Sequence, residues 1–165
     1  SGEEMPRGEP GEIHVQGPHN MKEYWNRPEA TAETIVDGWL HTGDVAVMDE
    51  DGFVTIQDRM KDMIISGGEN VYPAEVENVL LSHPAIADAA VIGQESAKWG
   101  ESPLAIIVRK DTALTEAEVL EHCQAKLARF KLPKQAVFVD EIPRNPSGKV
   151  LKRVLREQYP GPAAE

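Results

Sequence analysis

The stretch Asp58-Arg59-Met60-Lys61-Asp62-Met63-Ile64-Ile65-Ser66-Gly67-Gly68-Glu69-Asn70-Val71-Tyr72-Pro73-Ala74-Glu75 restricts the fold of this chain more than any other. Its charged opening cannot be buried and suits a joint. The run at 63–66 is apolar enough for a strand. The glycine pair at 67–68 tolerates positive φ and folds that strand back onto 70–72 as a tight hairpin. Pro73 then suits the first turn of a helix. Val76, Val79, Leu80 and His83 fall on one face before Pro84 stops it.

The pattern changes character at this joint. Upstream, residues 11–17 alternate and end at glycine, which predicts a short strand. Residues 28–35 predict a short helix. Asp49-Glu50-Asp51-Gly52 predicts a hairpin turn between 45–48 and 53–57. This material is β-rich and lacks a core of its own. Downstream, residues 86–93, 104–109 and 136–139 read as strands. Thr115 with Glu118 forms a capping-box pattern, opening a helix whose expected inner face is Leu120, Cys123 and Leu127. Residues 150–158 read as a short basic helix. The expected fold class is α+β: a mixed sheet flanked by helices over residues 59–165, preceded by a β-rich segment over residues 1–58, with the boundary at 59–62.

Composition narrows the function classes. The chain has 165 residues, 41% hydrophobic and 27% charged, ordinary for a globular protein. No apolar run approaches the roughly 20 residues that span a bilayer, and no transmembrane segment is expected. Cys123 is the one cysteine, so no internal disulfide is possible and a reducing, cytoplasmic compartment is expected. The net charge of −11 is uneven: residues 1–125 hold 8 Lys/Arg against 24 Asp/Glu, whereas residues 126–156 hold 9 against 2. The basic segment is either a solvated helix face or an anion-facing surface. Nucleic acid is excluded as a partner by the acidic whole and the scarcity of aromatics among the cations.

Several side chains could carry chemistry. Lys149 follows Pro146-Ser147-Gly148, which build a turn and leave room for a ligand; a lysine there can meet a phosphate as a point charge. The residues alone read more readily as an exposed loop lysine, and the spacing is not that of a P-loop. Asp44, in His41-Thr42-Gly43-Asp44, offers a carboxylate that a vicinal diol could use. The five histidines are scattered without metal spacing, so no metal site is expected. Ser66 and Ser147 show no base partner, which argues against a hydrolase triad.

Residues 58–75, the string Pro143-Arg144-Asn145-Pro146-Ser147-Gly148-Lys149-Val150-Leu151-Lys152-Arg153, and Gly38-Trp39-Leu40-His41-Thr42-Gly43-Asp44 together resemble the carboxy-terminal portion of the AMP-forming acyl-CoA synthetases, in the adenylate-forming superfamily. The resemblance covers residues 11–159. It implies that residues 1–58 end a large adenylating domain and that residues 59–165 are the small lid domain. By the same resemblance, Lys149 bridges substrate carboxylate and ATP α-phosphate, Asp44 and Arg59 hold the nucleotide ribose, and Lys61 is the hinge on which the lid rotates. Gly67 and Gly68 would line the pantetheine channel of CoA, with Trp99, Phe130 and Lys134 around the CoA nucleotide; Trp99 and Phe130 read equally well as core.

The implied parent is an ATP-dependent fatty-acid–CoA ligase using ATP, CoA and Mg2+, with no magnesium ligand identifiable here. The choice of fatty acid rests on Lys22-Glu23-Tyr24-Trp25-Asn26-Arg27-Pro28 and residues 66–70. Alternatives are an aryl-CoA ligase, a peptide-synthetase-type adenylation domain, or a non-catalytic lid module controlled by a lysine acetyltransferase at Lys149. Nothing in the chain resembles the superfamily's Ser/Thr/Gly-rich phosphate loop, so the chain alone is expected to be inactive. The full-length protein is expected in the cytoplasm or peripherally at a membrane.

Overall fold

A computed structural model describes residues 2–161. The chain divides into two compact units, Ser1–Lys61 and Asp62–Glu165.

The first unit is organised on one long strand. β1 (Pro10–Val15) pairs antiparallel with β3 (Trp39–Met48) along one edge. β2 (Ile35–Val36) and β4 (Val54–Arg59) pair with the opposite edge, near its start and its end. A short helix, α1 (Pro28–Thr34), carries Pro28 in its first turn and precedes β2. Asp49 caps the turn between β3 and β4, its Oδ1 accepting from the Phe53 N–H at 2.8 Å. Only Val45 and Ala46 are buried apolar residues among those described in this unit, while Trp25, Phe53 and Ile56 are 84%, 72% and 61% exposed. A sheet with so little of its apolar surface covered cannot be stabilised by a core of its own.

A single 3-10 turn, Met60–Asp62, leads into the second unit. β5 (Ile64–Ser66) and β6 (Glu69–Val71) form the expected hairpin, followed by α2 (Pro73–Leu81) with Pro73 in its first turn. β7 (Ile86–Ser96) pairs antiparallel with β8 (Gly100–Arg109). α3 (Glu116–Gln124) then crosses over to β9 (Gln135–Val139), which pairs parallel with β8. β8 is therefore central, with β7 on one edge and β5 and β9 on the other. α4 (Lys152–Gln158) closes the described chain.

Both faces of this sheet are covered, which explains the unbroken apolar runs of β7 and β8. Ala89, Val91, Ala105 and Ile107 pack on one face with Val76 and Leu80 of α2 and Val119 and Cys123 of α3. The intervening Ala90, Ile92, Leu104 and Ile106 pack on the other face with Ile142 and Leu155 of α4. The fold class is α+β. The capping box forms as expected: Thr115 N–H donates to Glu118 Oε2 at 2.8 Å, and Glu118 N–H to Thr115 Oγ1 at 3.3 Å. One helix face differs from the reading. Val119 rather than Leu120 is fully buried beside Cys123, because the i, i+4 pair points at the sheet while Leu120 stands one residue off that stripe. Burial pushes the Cys123 thiol up to about 11, against the weaker pull of nearby Lys126. Among the described residues no helix is long and apolar enough to cross a membrane.

Candidate functional site

The loop that carries Lys149 is built by Asn145. Its Oδ1 accepts three hydrogen bonds, from Ser147 N–H at 3.1 Å, Ser147 Oγ at 2.8 Å and Lys149 N–H at 2.9 Å. Asn145 N–H in turn donates to the Lys149 carbonyl at 2.9 Å, and Leu151 N–H to the Pro143 carbonyl at 2.8 Å. Arg144 fastens the loop to the sheet: one amino group donates to Gly148 O, the other to Asp88 Oδ2 on β7 at 2.7 Å. Neither residue was singled out from sequence. The signal was present in Asn145-Pro146-Ser147-Gly148, since an Asn side chain that bonds the backbone two residues on makes its own turn. Lys149 is exposed at the tip of this framework.

The basic segment sorts into two groups. Lys131 pairs with Glu75 at 2.7 Å, Arg144 with Asp88 at 2.7 Å, Lys152 with Glu77 at 2.9 Å and Arg156 with Asp62 at 2.9 Å, and Arg153 pairs with Glu157. All but Arg153, whose partner lies in the same helix α4, fasten α4 and the loops to the acidic remainder of the same unit. Lys126, Arg129, Lys134 and Lys149 form no ion pair among the described residues, so the anion-facing reading narrows to them.

Gly67 and Gly68 have φ of 63° and 86°, the pair of positive values that a two-residue hairpin turn of this hand needs. Gly67 N–H donates to the Trp99 carbonyl at 2.8 Å, and a Cβ on Gly67 would lie 2.9 Å from the Trp99 ring. Trp99 is thus fitted against the hairpin backbone and still 42% exposed. Lys134 Nζ lies 5.9 Å from the Trp99 ring centre and Lys98 Nζ 4.8 Å. Phe130, 37% exposed, sits in the 3-10 turn Arg129–Lys131, which packs beside β6. The structure therefore gathers Gly67, Trp99 and Lys134 into one cluster at the hairpin. Neither Trp99 nor Phe130 is core.

Asp44 and Arg59 are directly opposed on β3 and β4. Arg59 Nη1 donates to Asp44 Oδ1 at 2.8 Å and to the Thr42 carbonyl at 3.0 Å, leaving Asp44 Oδ2 for another donor. Asp44 sits in a bulge. Between the pairs Glu12↔Val45 and His14↔His41, β1 places only Ile13 opposite three residues of β3, Thr42 to Asp44. Such bulges re-aim side chains. This one is held by Thr42 Oγ1 donating to Ile13 O at 2.9 Å and by Gly43 N–H donating to Glu12 Oε1 at 2.9 Å. Glu12 was not among the predicted residues. Burial alone would raise its carboxyl, but hydrogen bonds from His14 and Gly43 and the pull of His14 and His41 outweigh this and hold it below the ordinary carboxylate value.

The histidines that look scattered in sequence are not all apart in space. His14 and His41 stack with ring centres 3.8 Å apart, and His83 meets His122 edge-on at 4.8 Å. Lys61 is exposed in the 3-10 turn, at the limit between the two units.

Residues 75–149 match the family described as AMP-binding enzyme C-terminal domain. The long-chain-fatty-acid–CoA ligase FadD13 of Mycobacterium tuberculosis is 52% identical over 149 residues, which are 90% of this chain and 30% of that protein. O-succinylbenzoate CoA synthetase (MenE) of Bacillus subtilis, solved with the acyl-adenylate intermediate OSB-AMP, superposes with a TM-score of 0.86 at 46% identity, covering 92% of this chain and 31% of that one. The same enzyme with ATP and magnesium ion gives 0.87 at 44% identity, covering 94% and 32%. The chain thus spans about a third of the length of the relatives it matches. No acetyltransferase partner finds support in these relatives. By motif, fold and sequence identity, the chain carries the AMP-binding enzyme C-terminal domain and fits the carboxy-terminal portion of an adenylate-forming enzyme.

Proposed function

We propose that this chain is the lid-bearing end of an ATP-dependent, AMP-forming CoA ligase, residues 1–58 completing a large adenylating domain and residues 59–165 forming the lid. A carboxylate attacks the ATP α-phosphorus to give acyl-adenylate and pyrophosphate; CoA thiol then attacks the acyl carbon, giving the thioester and releasing AMP. The observation that carries the reading is Lys149, an exposed ammonium without an ion pair among the described residues, on a loop braced by Asn145 and Arg144. Attack of one anion on another requires a preorganised cation where charge accumulates. Asp44, with Arg59 beside it, holds the ribose through its free oxygen. Lys61 absorbs the backbone rotation between the two half-reactions. Gly67 and Gly68 border the pantetheine path, and Trp99, Phe130 and Lys134 offer aromatic faces and a cation to the CoA nucleotide. Magnesium enters on the ATP phosphates, and no ligand for it is assigned in this chain.

A fatty acid is the proposed substrate class, on the 52% identity to a long-chain-fatty-acid–CoA ligase. An aryl acid is the second reading, because 2-succinylbenzoate–CoA ligases are as similar, at 53% and 55% identity. The exposed apolar face of the first unit supports an origin in a larger domain, and the 165-residue chain by itself is proposed to be inactive.

The test uses the full-length parent and its Lys149→Ala variant. Acid-dependent ATP–pyrophosphate exchange should fall by about 10²–10³-fold, the scale of removing one transition-state charge stabiliser, while CoA capture of supplied acyl-adenylate persists. Unchanged exchange would reduce Lys149 to a loop lysine. Comparing a medium- or long-chain fatty acid with an aryl acid in the same exchange assay decides the substrate class.

A further inference from the structure

We propose that Glu12, His14 and His41 form a binding site for one late divalent transition-metal ion, of the zinc class, clamping β1 to β3 at the bulge. One donor atom from each residue lies within 4.8 Å of the other two. Two of the three edges are already short: His14 Nε2 to Glu12 Oε2 is 2.9 Å and His41 Nδ1 to the same oxygen is 3.7 Å. A tetrahedral site with metal–ligand bonds of about 2.0–2.2 Å needs donors roughly 3.3–3.6 Å apart. The remaining edge, between the two imidazoles, lies within 4.8 Å and has to shorten for a single ion to bridge it.

The strands account for this convergence. Glu12 and His14 share a strand face through the two-residue period, and the slipped register sets His14 directly opposite His41. The bulge gives the carboxylate a fixed orientation, because Gly43 N–H holds Oε1 at 2.9 Å while Oε2 turns towards both imidazoles. Outer hydrogen bonds of this kind orient the ligands of protein metal sites. The side chains are 32%, 18% and 32% exposed for His14, Glu12 and His41, so the group is part-sheltered with one side open to solvent. Two imidazole nitrogens and one carboxylate with an open fourth position suit zinc, cobalt or nickel. Magnesium and calcium require oxygen shells and do not fit. The proposed ion is therefore distinct from magnesium carried by a nucleotide.

The experiment uses the intact chain, free of any affinity tag, stripped with chelator and titrated with cobalt(II) and zinc(II). One equivalent of cobalt(II) should give the visible absorption of a low-coordinate nitrogen–oxygen site. Zinc should displace it, and a large excess of magnesium should not. His14→Gln and Glu12→Gln should each weaken binding by at least about tenfold, the lower end of the cost of losing even an outer partner. His122→Gln, at the other histidine pair, should leave binding unchanged. In the unaltered chain, zinc should shift the imidazole NMR signals of His14 and His41 and leave those of His83 and His122 in place, a result that does not depend on any variant folding. Binding that survives His14→Gln, or shifts confined to His83 and His122, would overturn the assignment.

Discussion

Replacing Gly67 and Gly68 in turn by alanine separates two effects that the hairpin combines. Both glycines have positive φ, so either alanine meets the left-handed penalty of about 1–2 kcal/mol. Only at position 67 does the new Cβ also collide, 2.9 Å from the Trp99 ring. The ring must leave its rotamer by some tens of degrees, at about 0.5–1.5 kcal/mol. At position 68 nothing lies within 4 Å. Gly67→Ala should therefore cost about 1 kcal/mol more than Gly68→Ala, roughly fivefold in the folding constant. Urea titration of the 165-residue chain followed by far-UV circular dichroism measures this without depending on Trp99 emission. Repeating both substitutions in a Trp99→Ala background should abolish the difference, since the collision partner is gone. In the full-length parent, the displaced ring should impair CoA capture more than pyrophosphate exchange. Equal costs at the two positions, or a difference that persists without Trp99, would refute the packing argument.

Asn145→Ala removes the acceptor of three loop hydrogen bonds and should cost about 1–3 kcal/mol in urea titration at the usual net worth of such bonds; in the parent it should lower pyrophosphate exchange while sparing CoA capture, and equal loss of both would deny Asn145 a role specific to the Lys149 loop. The Glu118 carboxyl is held below its ordinary value by hydrogen bonds from Thr115. Its contribution is therefore complete above the ordinary carboxylate value and lost as pH falls through the folded one. Glu118→Gln should accordingly lose less stability than the unaltered chain between about pH 6 and about pH 3, and parallel stability curves would contradict this. With its thiol at about 11, against 9.0 for a free group, Cys123 should react with a thiol reagent near neutral pH at least about a hundredfold more slowly in the native chain than in urea; fast native labelling would show that α3 opens readily.

What was legible in advance was local. Gly67-Gly68 demanded a tight turn, Pro73 a helix start, and Thr115 with Glu118 a cap, and each of these short-range rules is met. The hairpin at residues 49–52 was legible for the same reason. The parallel pairing of β9 with β8 was not, because it depends on which distant strand arrives beside the central one. Nor was the sorting of the basic segment: Arg144 and Arg156 look like Lys149 in sequence, yet they meet Asp88 and Asp62, 56 and 94 residues away. Val119 displaced Leu120 from the inner face of α3 because helix rotation is fixed by packing and not by the apolar pattern alone. Glu12, His14 and His41 escaped notice because a slipped register between strands brings them together, and spacing along one strand does not encode it.

The bracing of the 145–149 loop has a kinetic consequence. Surface loops ordinarily wander in nanoseconds to microseconds, which would let a terminal ammonium sample many positions independently of its domain. Here Asn145 fixes the backbone of Lys149 and Arg144 ties the same loop to β7, so the lysine backbone has little freedom apart from the sheet. Large displacements of that ammonium are therefore displacements of the whole unit, on the microsecond-to-millisecond scale of collective domain motion. Under the proposed lid rotation, arrival and departure of the cation would then be discrete events with a single clock.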